Sequence, residues 1–490
     1  MKYLLGIDFG GGASKATLLT TGGKIAASNT VEYPTYHPEN GWCEQNPDDW
    51  YCALCENTKA LLDKSGVNPS DILTVAIDSA THTFLFTDEN GKPLYPAIHW
   101  TDSRSTEESA YLRENYLDLI LKKTFHKPDT IWTLPQIMWL KKHRPEVFSG
   151  ARKIFFEKDY IRYKVTDVYC TDFIEAEGSM LFDCEKLEWS KELCDIAGLD
   201  MSILPPIVKP TDVIGKVTEK AASETGLAAG TPVICGTTDT VMEVFASGAV
   251  SKGQMTVKLA TAGRICVITD KPYPNRHLIN YSHIADGLWY PGTATKSCAA
   301  SYRWYRDTFG GNYRELDAEA EKVPIGCDGV IFNPYLNGEL TPYADPLLCG
   351  SFIGLRAGHG RGHFSRAVME GVAFSLLDCK NALEEIGIPH ENEAVIIGGG
   401  AASPIWRKIT ADVLGITVFT TKSSDSSLGS AMLAGISAGV FASPEDAVAR
   451  CMEKDTVTVP NPENTAKYAE VFRKYKAVHD ALEPIYHGEY

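Results

Sequence analysis

The chain reads as an α/β protein of two similar halves, on three observations. A strand–turn–strand opening at the start recurs near Gly253. Short buried strands alternate with amphipathic helical segments. At 490 residues the chain is too long for one hydrophobic core. Two domains of roughly 240 residues each are expected, divided as 1–245 and 246–490.

The first opening alternates with a period of two through Tyr3 to Phe9, Ser14 to Leu19 and Lys24 to Tyr33, with Gly22-Gly23 as a tight hairpin turn. After the loop Glu44-Gln45-Asn46-Pro47, the spacing predicts a helix over Asp48 to Lys64 and a buried strand over Ile72 to Ile77. Thr231 to Cys235 is a further buried strand, leading through Gly236-Thr237-Thr238-Asp239 into a helix that carries the chain between halves. The second opening runs from Gln254 to Leu259, breaks at Ala260-Thr261-Ala262-Gly263 and resumes from Arg264 to Thr269. A long helical period over Phe364 to Ile386 reads as a packed helix. Ala394 to Ile397 reads as a strand, turned by Gly398-Gly399-Gly400 into a helix over Pro404 to Leu414, with Ser403 at its N-cap and Pro404 at N1.

Composition removes several function classes. A formal charge of −16, with no basic stripe, opposes a nucleic-acid partner. A neutral small molecule is compatible, and phosphate can still bind through backbone amides at glycine turns and helix N-termini. No run approaches the ~20 apolar residues of a membrane span, so no membrane partner is expected. Met1 to Phe9 carries one basic residue and a short apolar run ended by Asp8, unlike a signal peptide, which predicts a cytoplasmic protein. The 13 cysteines are scattered through apolar settings and are expected to be reduced. The spacing Cys52-Ala-Leu-Cys55 admits a redox or zinc reading, but it lies in a helical pattern with no Cys/His partner nearby.

Three glycine-rich turns follow strands: Asp8-Phe9-Gly10-Gly11-Gly12, Ala260-Thr261-Ala262-Gly263 and Gly398-Gly399-Gly400. Each can bring backbone N–H groups close to a phosphate, because glycine has no Cβ to block the approach. A lone turn of this kind is more often a tight hairpin, but three at equivalent points of repeated halves form a pattern. Asp8 closes a buried strand, where a carboxylate is costly unless it faces a cleft, an ion or paired donors; Mg²⁺ is the natural partner, and a capped turn would also account for it. Asp239 stands at the end of another buried strand and suits the holding of a substrate hydroxyl, although a helix N-cap would occupy the same place. No Walker P-loop, His-Glu-x-x-His or Gly-x-Ser-x-Gly motif occurs.

Taken in order, the motifs resemble the FGGY family of carbohydrate kinases, which includes glycerol kinase, xylulokinase and ribulokinase, and most of all its xylulokinase members. The resemblance runs through Gly6-Ile-Asp8-Phe-Gly10, Trp100-Thr-Asp102-Ser-Arg104, Trp132-Thr-Leu-Pro135-Gln-Ile-Met-Trp139-Leu and Lys158-Asp-Tyr160. It continues through Thr341-Pro-Tyr-Ala-Asp345-Pro, Gly350-Ser-Phe-Ile-Gly354-Leu, His359-Gly-Arg361-Gly-His363-Phe-Ser-Arg366-Ala, Glu370-Gly-Val-Ala-Phe374, Gly398 to Trp406, and Leu428-Gly429-Ser-Ala431.

That resemblance implies two ribonuclease H-like, actin-like ATPase domains around an interdomain cleft, with sugar bound mainly by the first and ATP by the second. It assigns Asp239 as catalytic base, Asp8 as the carboxylate beside Mg²⁺, and Thr81, His82 and Asp102 to the sugar. Gly10, Gly11, Gly12, Thr261, Gly399, Gly400 and Ser403 fall to ATP. Thr81-His82 sits where xylulokinases present Met-His, which implies a ketopentose, D-xylulose first, and the family suggests a homodimer. His82 read from the residues alone is equally an ordinary core or surface histidine. Three positions depart from the family pattern: Gly11 replaces a Thr, Ala260-Thr261-Ala262 replaces Gly-Thr-Ser, and Gln136 replaces a Lys. Gly10-Gly11 looks like L-xylulose kinases while His82 looks like the D-xylulose enzymes, so both acceptors stay open, as does ribulose. An actin-like ATP switch would share the fold, and a sugar sensor with weak turnover would fit the altered phosphate motifs.

Overall fold

The computed structural model describes residues 1–488. The N-terminal half opens with β1 (Tyr3–Phe9), β2 (Ala13–Thr20) and β3 (Ile25–Glu32), antiparallel in sequence order. Helix α1 (Pro47–Ser65) follows. The Asn46 side chain accepts from the Asp48 N–H at its start, Pro47 enters its first turn, and Gly66 closes it at φ 65°. Strand β4 (Ile72–Ser79) then lies parallel to β1. After an inserted region come β5 (Val213–Lys216), β6 (Pro232–Ile234) and α2 (Asp239–Ala246).

The C-terminal half repeats the plan with β7 (Met255–Leu259), β8 (Gly263–Val267), β9 (Gly292–Thr295), α3 (Arg361–Glu385), β10 (Glu393–Ile397), α4 (Pro404–Leu414), β11 (Thr417–Thr421), α5 (Ser426–Ser437) and β12 (Lys454–Thr458). The sheets run β5-β6-β4-β1-β2-β3 and β9-β8-β7-β10-β11-β12. In each, an antiparallel three-stranded opening is joined in parallel to two further strands and finished by an antiparallel edge strand. The halves differ in the edge strand: β5 precedes its partner in the chain, whereas β12 follows it.

Side-chain alternation decides what each sheet buries. Leu5, Ile7 and Phe9 pack against Trp50, Leu54 and Leu61 of α1, while Leu4 joins Leu428, Ala431 and Met432 of α5 on the other face. Gly6 shares that second face, where any Cβ would drive into the Ser427 carbonyl and the Ala431 amide. In the C-terminal half Val257, Leu259, Ile265 and Val267 bury against α3 and α4, and Cys266 turns instead toward Val241 and Phe245 of α2. Helices α2 and α5 thus lie between the sheets. They approach so closely at Gly429 that a Cβ there would collide with the Met242 backbone.

The expected boundary at 245/246 coincides with the end of α2, yet the chain crosses back: α5 belongs to the second half in sequence and covers the first half's sheet. The long helix starts at Arg361, before the predicted Phe364, and Gly399–Ala402 forms a 3₁₀ turn. Cys52 and Cys55 both lie on α1 as free thiols. No helix among the described residues is long and apolar enough to cross a membrane.

Candidate active site

The hairpin β1–β2 and the parallel pairing β1–β4 put Asp8 in register with Asp78. Both side chains end on the face turned to α5, where the Ser430 hydroxyl donates to Asp78 Oδ2. Asp8 Oδ1 and Asp78 Oδ1 are buried with no partner among the described residues. Burial and the neighbouring Asp239 carboxylate push Asp8 up to about 7, despite a hydrogen bond shared with Asp78 that acts the other way. Such a cluster lacks a positive charge, and a divalent cation supplies one.

Asp239 is the first residue of α2, after the N-cap Thr238, so the N-cap reading does not hold. Gly236, at φ 71°, allows the chain to turn there, because its Cα lies against the Ile77 carbonyl. The Asp239 Oδ1 accepts from Thr81 Oγ1 at 3.2 Å and from Thr240 Oγ1 at 3.1 Å. Burial raises its pKa, opposed by the Lys258 ammonium that rises from β7 and ion-pairs with Glu243 one turn along α2.

The first glycine turn follows Asp8 at the end of β1, and the second follows Lys258 at the end of β7. The carbonyls of Gly10, Gly11 and Gly12 accept from the Tyr33 hydroxyl, from Thr35 and Gln45, and from the Tyr33 N–H respectively. The N–H groups of Gly11 and Gly12 carry no partner among the described residues. Gly11 faces His99, whose Nε2 would lie 3.7 Å from a Cβ at that position. Thr261 is exposed in the matching turn of the other half. Gly398, at φ 89°, lies against Leu259 and Ala260, where a Cβ would come within 2.7 Å, so the third turn abuts the second. Gly399 opens on empty space, Gly400 is buried, and the Ser403 hydroxyl caps α4 by accepting from the Trp406 N–H at 3.2 Å.

Thr81 donates to Asp239, and His82 follows it in the chain. His82 adopts φ 53°, donates its N–H to Glu175 Oε1 at 2.6 Å, and packs its ring 4.9 Å from Trp132. Burial, aided by His126 and His99, pulls its pKa down to about 3, which keeps the imidazole neutral. Gly178, on the helix Phe173–Gly178, makes room for it: a Cβ there would lie 2.7 Å from the ring and 3.3 Å from the Tyr281 hydroxyl. Asp102 is placed differently from expectation. Its carboxylate is consumed by the Arg104 guanidinium, at 2.7 and 2.9 Å, and by the backbone N–H of Cys43. Arg104 in turn stacks 3.8 Å over Trp42. Asp102 holds the loop that presents His99 and Trp100.

Sequence reasoning missed Asp78, His99, Trp132, Glu175 and Lys258. Asp78 had a signal, since it ends an apolar strand just as Asp8 does. The others are set by packing between segments far apart in sequence.

The family model for the N-terminal domain of the FGGY carbohydrate kinases matches residues 3–246, and that for the C-terminal domain matches residues 233–438. The chain belongs to the FGGY family of carbohydrate kinases. Among its FGGY relatives, the xylulose kinase of Bacillus subtilis is 32% identical over 486 residues, covering 98% of this chain and 97% of that one. The gluconokinase of the same organism is 30% identical over 451 residues, covering 89% and 87%. The ligand-bound xylulose kinase structure from Lactobacillus acidophilus superposes with a TM-score of 0.93 at 26% identity, over the whole of both chains. As an FGGY kinase the protein is a sugar kinase with an actin-like fold, and ATP is the family's phosphoryl donor.

Proposed function

We propose that this chain transfers the γ-phosphoryl group of ATP to the terminal hydroxyl of a ketopentose, D-xylulose foremost, with Asp239 as general base. The observation that carries the reading is the position of Asp239: it is held by Thr81, its charge acts on Asp8 at the end of β1, and Lys258 from β7 acts on it in turn. The xylulose kinases among the full-length relatives support the ketopentose.

The acceptor hydroxyl lies against Asp239, which takes its proton as the oxygen attacks phosphorus in line with the departing ADP. Thr81 and Thr240 orient the carboxylate, and Lys258 opposes the effect of burial and so keeps it ionised and able to take a proton. Amides of Gly11 and Gly12, with Thr261, face the transferring phosphate, while Gly399, Gly400 and the α4 N-terminus at Ser403 serve the nucleotide. Asp8, with Asp78 beside it, fits Mg²⁺, because each keeps a buried oxygen with no donor. Bound there, the ion neutralises the phosphate oxygens. Asp102 contributes by holding its loop. The free thiols fit a reducing, cytoplasmic setting, and a homodimer follows only from the family.

Steady-state kinetics on D-xylulose, L-xylulose, D-ribulose, L-ribulose and glycerol tests the acceptor. D-xylulose is expected to give the highest kcat/KM, and a flat panel would reject it. Asp239→Asn is expected to keep ATP affinity and lose about 10²–10⁴ in kcat; near-normal turnover would remove Asp239 from the chemistry.

A further inference from the structure

Asp172 is a buried carboxylate that the ketose reading does not use. It is fully buried, as are Thr237, Glu175 and Lys158 around it. Its Oδ1 accepts from the Thr237 hydroxyl at 2.8 Å and from the N–H groups of Ile174 and Glu175 at 3.0 and 3.3 Å. Its Oδ2 lies 2.9 Å from the Lys158 ammonium. As N-cap, Asp172 opens the helix Phe173–Gly178. A carboxylate placed so deep is costly unless donors and a cation surround it, and here both do. Its partners on both oxygens leave the side chain little freedom.

Those partners belong to two sides of the candidate site. Thr237 lies two residues before Asp239, in the segment that Gly236 turns from β6 toward α2. Glu175, on the short helix, takes the His82 N–H on its Oε1 at 2.6 Å. Thr81, which precedes His82 in the chain, donates to Asp239 Oδ1 at 3.2 Å. The contacts close a ring: from Asp239 to Thr81 and His82, on to Glu175 and Asp172, and back through Thr237 to Asp239. Asp172 Oδ1 is the atom at which the segment bearing Asp239 is tied to the helix that holds His82.

We infer that Asp172 is a positioning residue for phosphoryl transfer: it fixes the Asp239 carboxylate relative to Thr81 and His82, so that base and acceptor keep one spacing. This rests on the kinase reading above and adds to it a residue that itself touches no reacting atom. The physical reason is the steep dependence of the reaction on geometry, where a displacement of about 1 Å can cost about 10²-fold in rate. The Thr237 hydroxyl bond is the link to cut, because Lys158 and the two N–H groups still satisfy Asp172 once it is gone.

Thr237→Val removes that hydroxyl at nearly constant volume. It is expected to lower kcat on the best acceptor roughly 10- to 100-fold, while KM for ATP and calorimetric affinity for ADP stay within about twofold. Thr237→Ser keeps the hydroxyl and is expected to recover most of the rate. Asp172→Ala is expected to lower kcat as well, and adding Thr237→Val to it to cost no more than about twofold further, since both changes break one link. Thermal melts check folding, and where Asp172→Ala fails to fold the two Thr237 variants decide alone. A Thr237→Val enzyme that melts earlier yet keeps at least half the wild-type kcat overturns the inference, by leaving Asp172 a role in stability only. A Thr237→Ser enzyme as slow as Thr237→Val, or losses that add in the double variant, also overturns it. Should wild type phosphorylate no acceptor, the kinase reading falls and the inference with it; should wild type be active and Thr237→Val match it, the inference alone falls.

Discussion

His82 shows how much of this site depends on single side chains held in unusual states. A backbone at φ 53° is costly for a non-glycine residue, and here the Glu175 carboxylate takes its N–H while Thr133 donates to its carbonyl. The ring is then fixed between Trp132 and the space left by Gly178. With its pKa near 3, the imidazole is neutral at every physiological pH and can only donate and accept hydrogen bonds. Replacing His82 by Ala is accordingly expected to raise KM for the pentulose about tenfold or more, with a smaller change in kcat. An unchanged KM, measured at saturating ATP, would place the sugar elsewhere.

Among elements, the pair α2 and α5 carries most of the architecture. Each follows a parallel strand of its own half, β6 or β11, and each packs on the other through glycine and backbone. Asp239 opens α2, and Asp425 caps α5 while ion-pairing with Lys15 of β2 at 2.9 Å. The two halves therefore meet at helix N-termini, which favour anions. Gly6 is what lets α5 lie on β1. Gly6→Ala is expected to destabilise the protein by about 3 kcal/mol or more, since the clash is with backbone that cannot rotate away. Urea unfolding measures this, and a change under about 1 kcal/mol would mean that α5 yields easily.

At the scale of the whole molecule, the halves interlock. Because α5 covers the N-terminal sheet, a fragment 1–245 would expose the face carrying Leu4 and Asp8. That fragment is expected to bind hydrophobic dye and show no cooperative melt; a sharp melt would make the halves independent. Buried carboxylates also set a pH dependence. Glu177, accepting from the Ser282 N–H and hydroxyl, is pushed by burial up to about 8 from 4.5. The folded state thus holds its proton more tightly than the unfolded chain, and stability falls as pH rises from about 4.5 to about 8. Glu177→Gln cannot ionise and is expected to flatten the decline of Tm across that window, where an identical slope would remove Glu177 from it.

Sequence alone determined the repeated plan, because period-two strands, helix caps and glycine turns are local signals. Pro404–Leu414 matches the predicted helix at both ends, and Asp8, Asp239 and the three turns were all legible where apolar strands end in polar or glycine residues. Only the tertiary structure decided that α5 returns to the first sheet and that Asp102 is consumed by Arg104. Those outcomes depend on which distant segments meet in space, and a carboxylate or guanidinium looks the same in sequence whether its partner is a neighbouring side chain or a ligand.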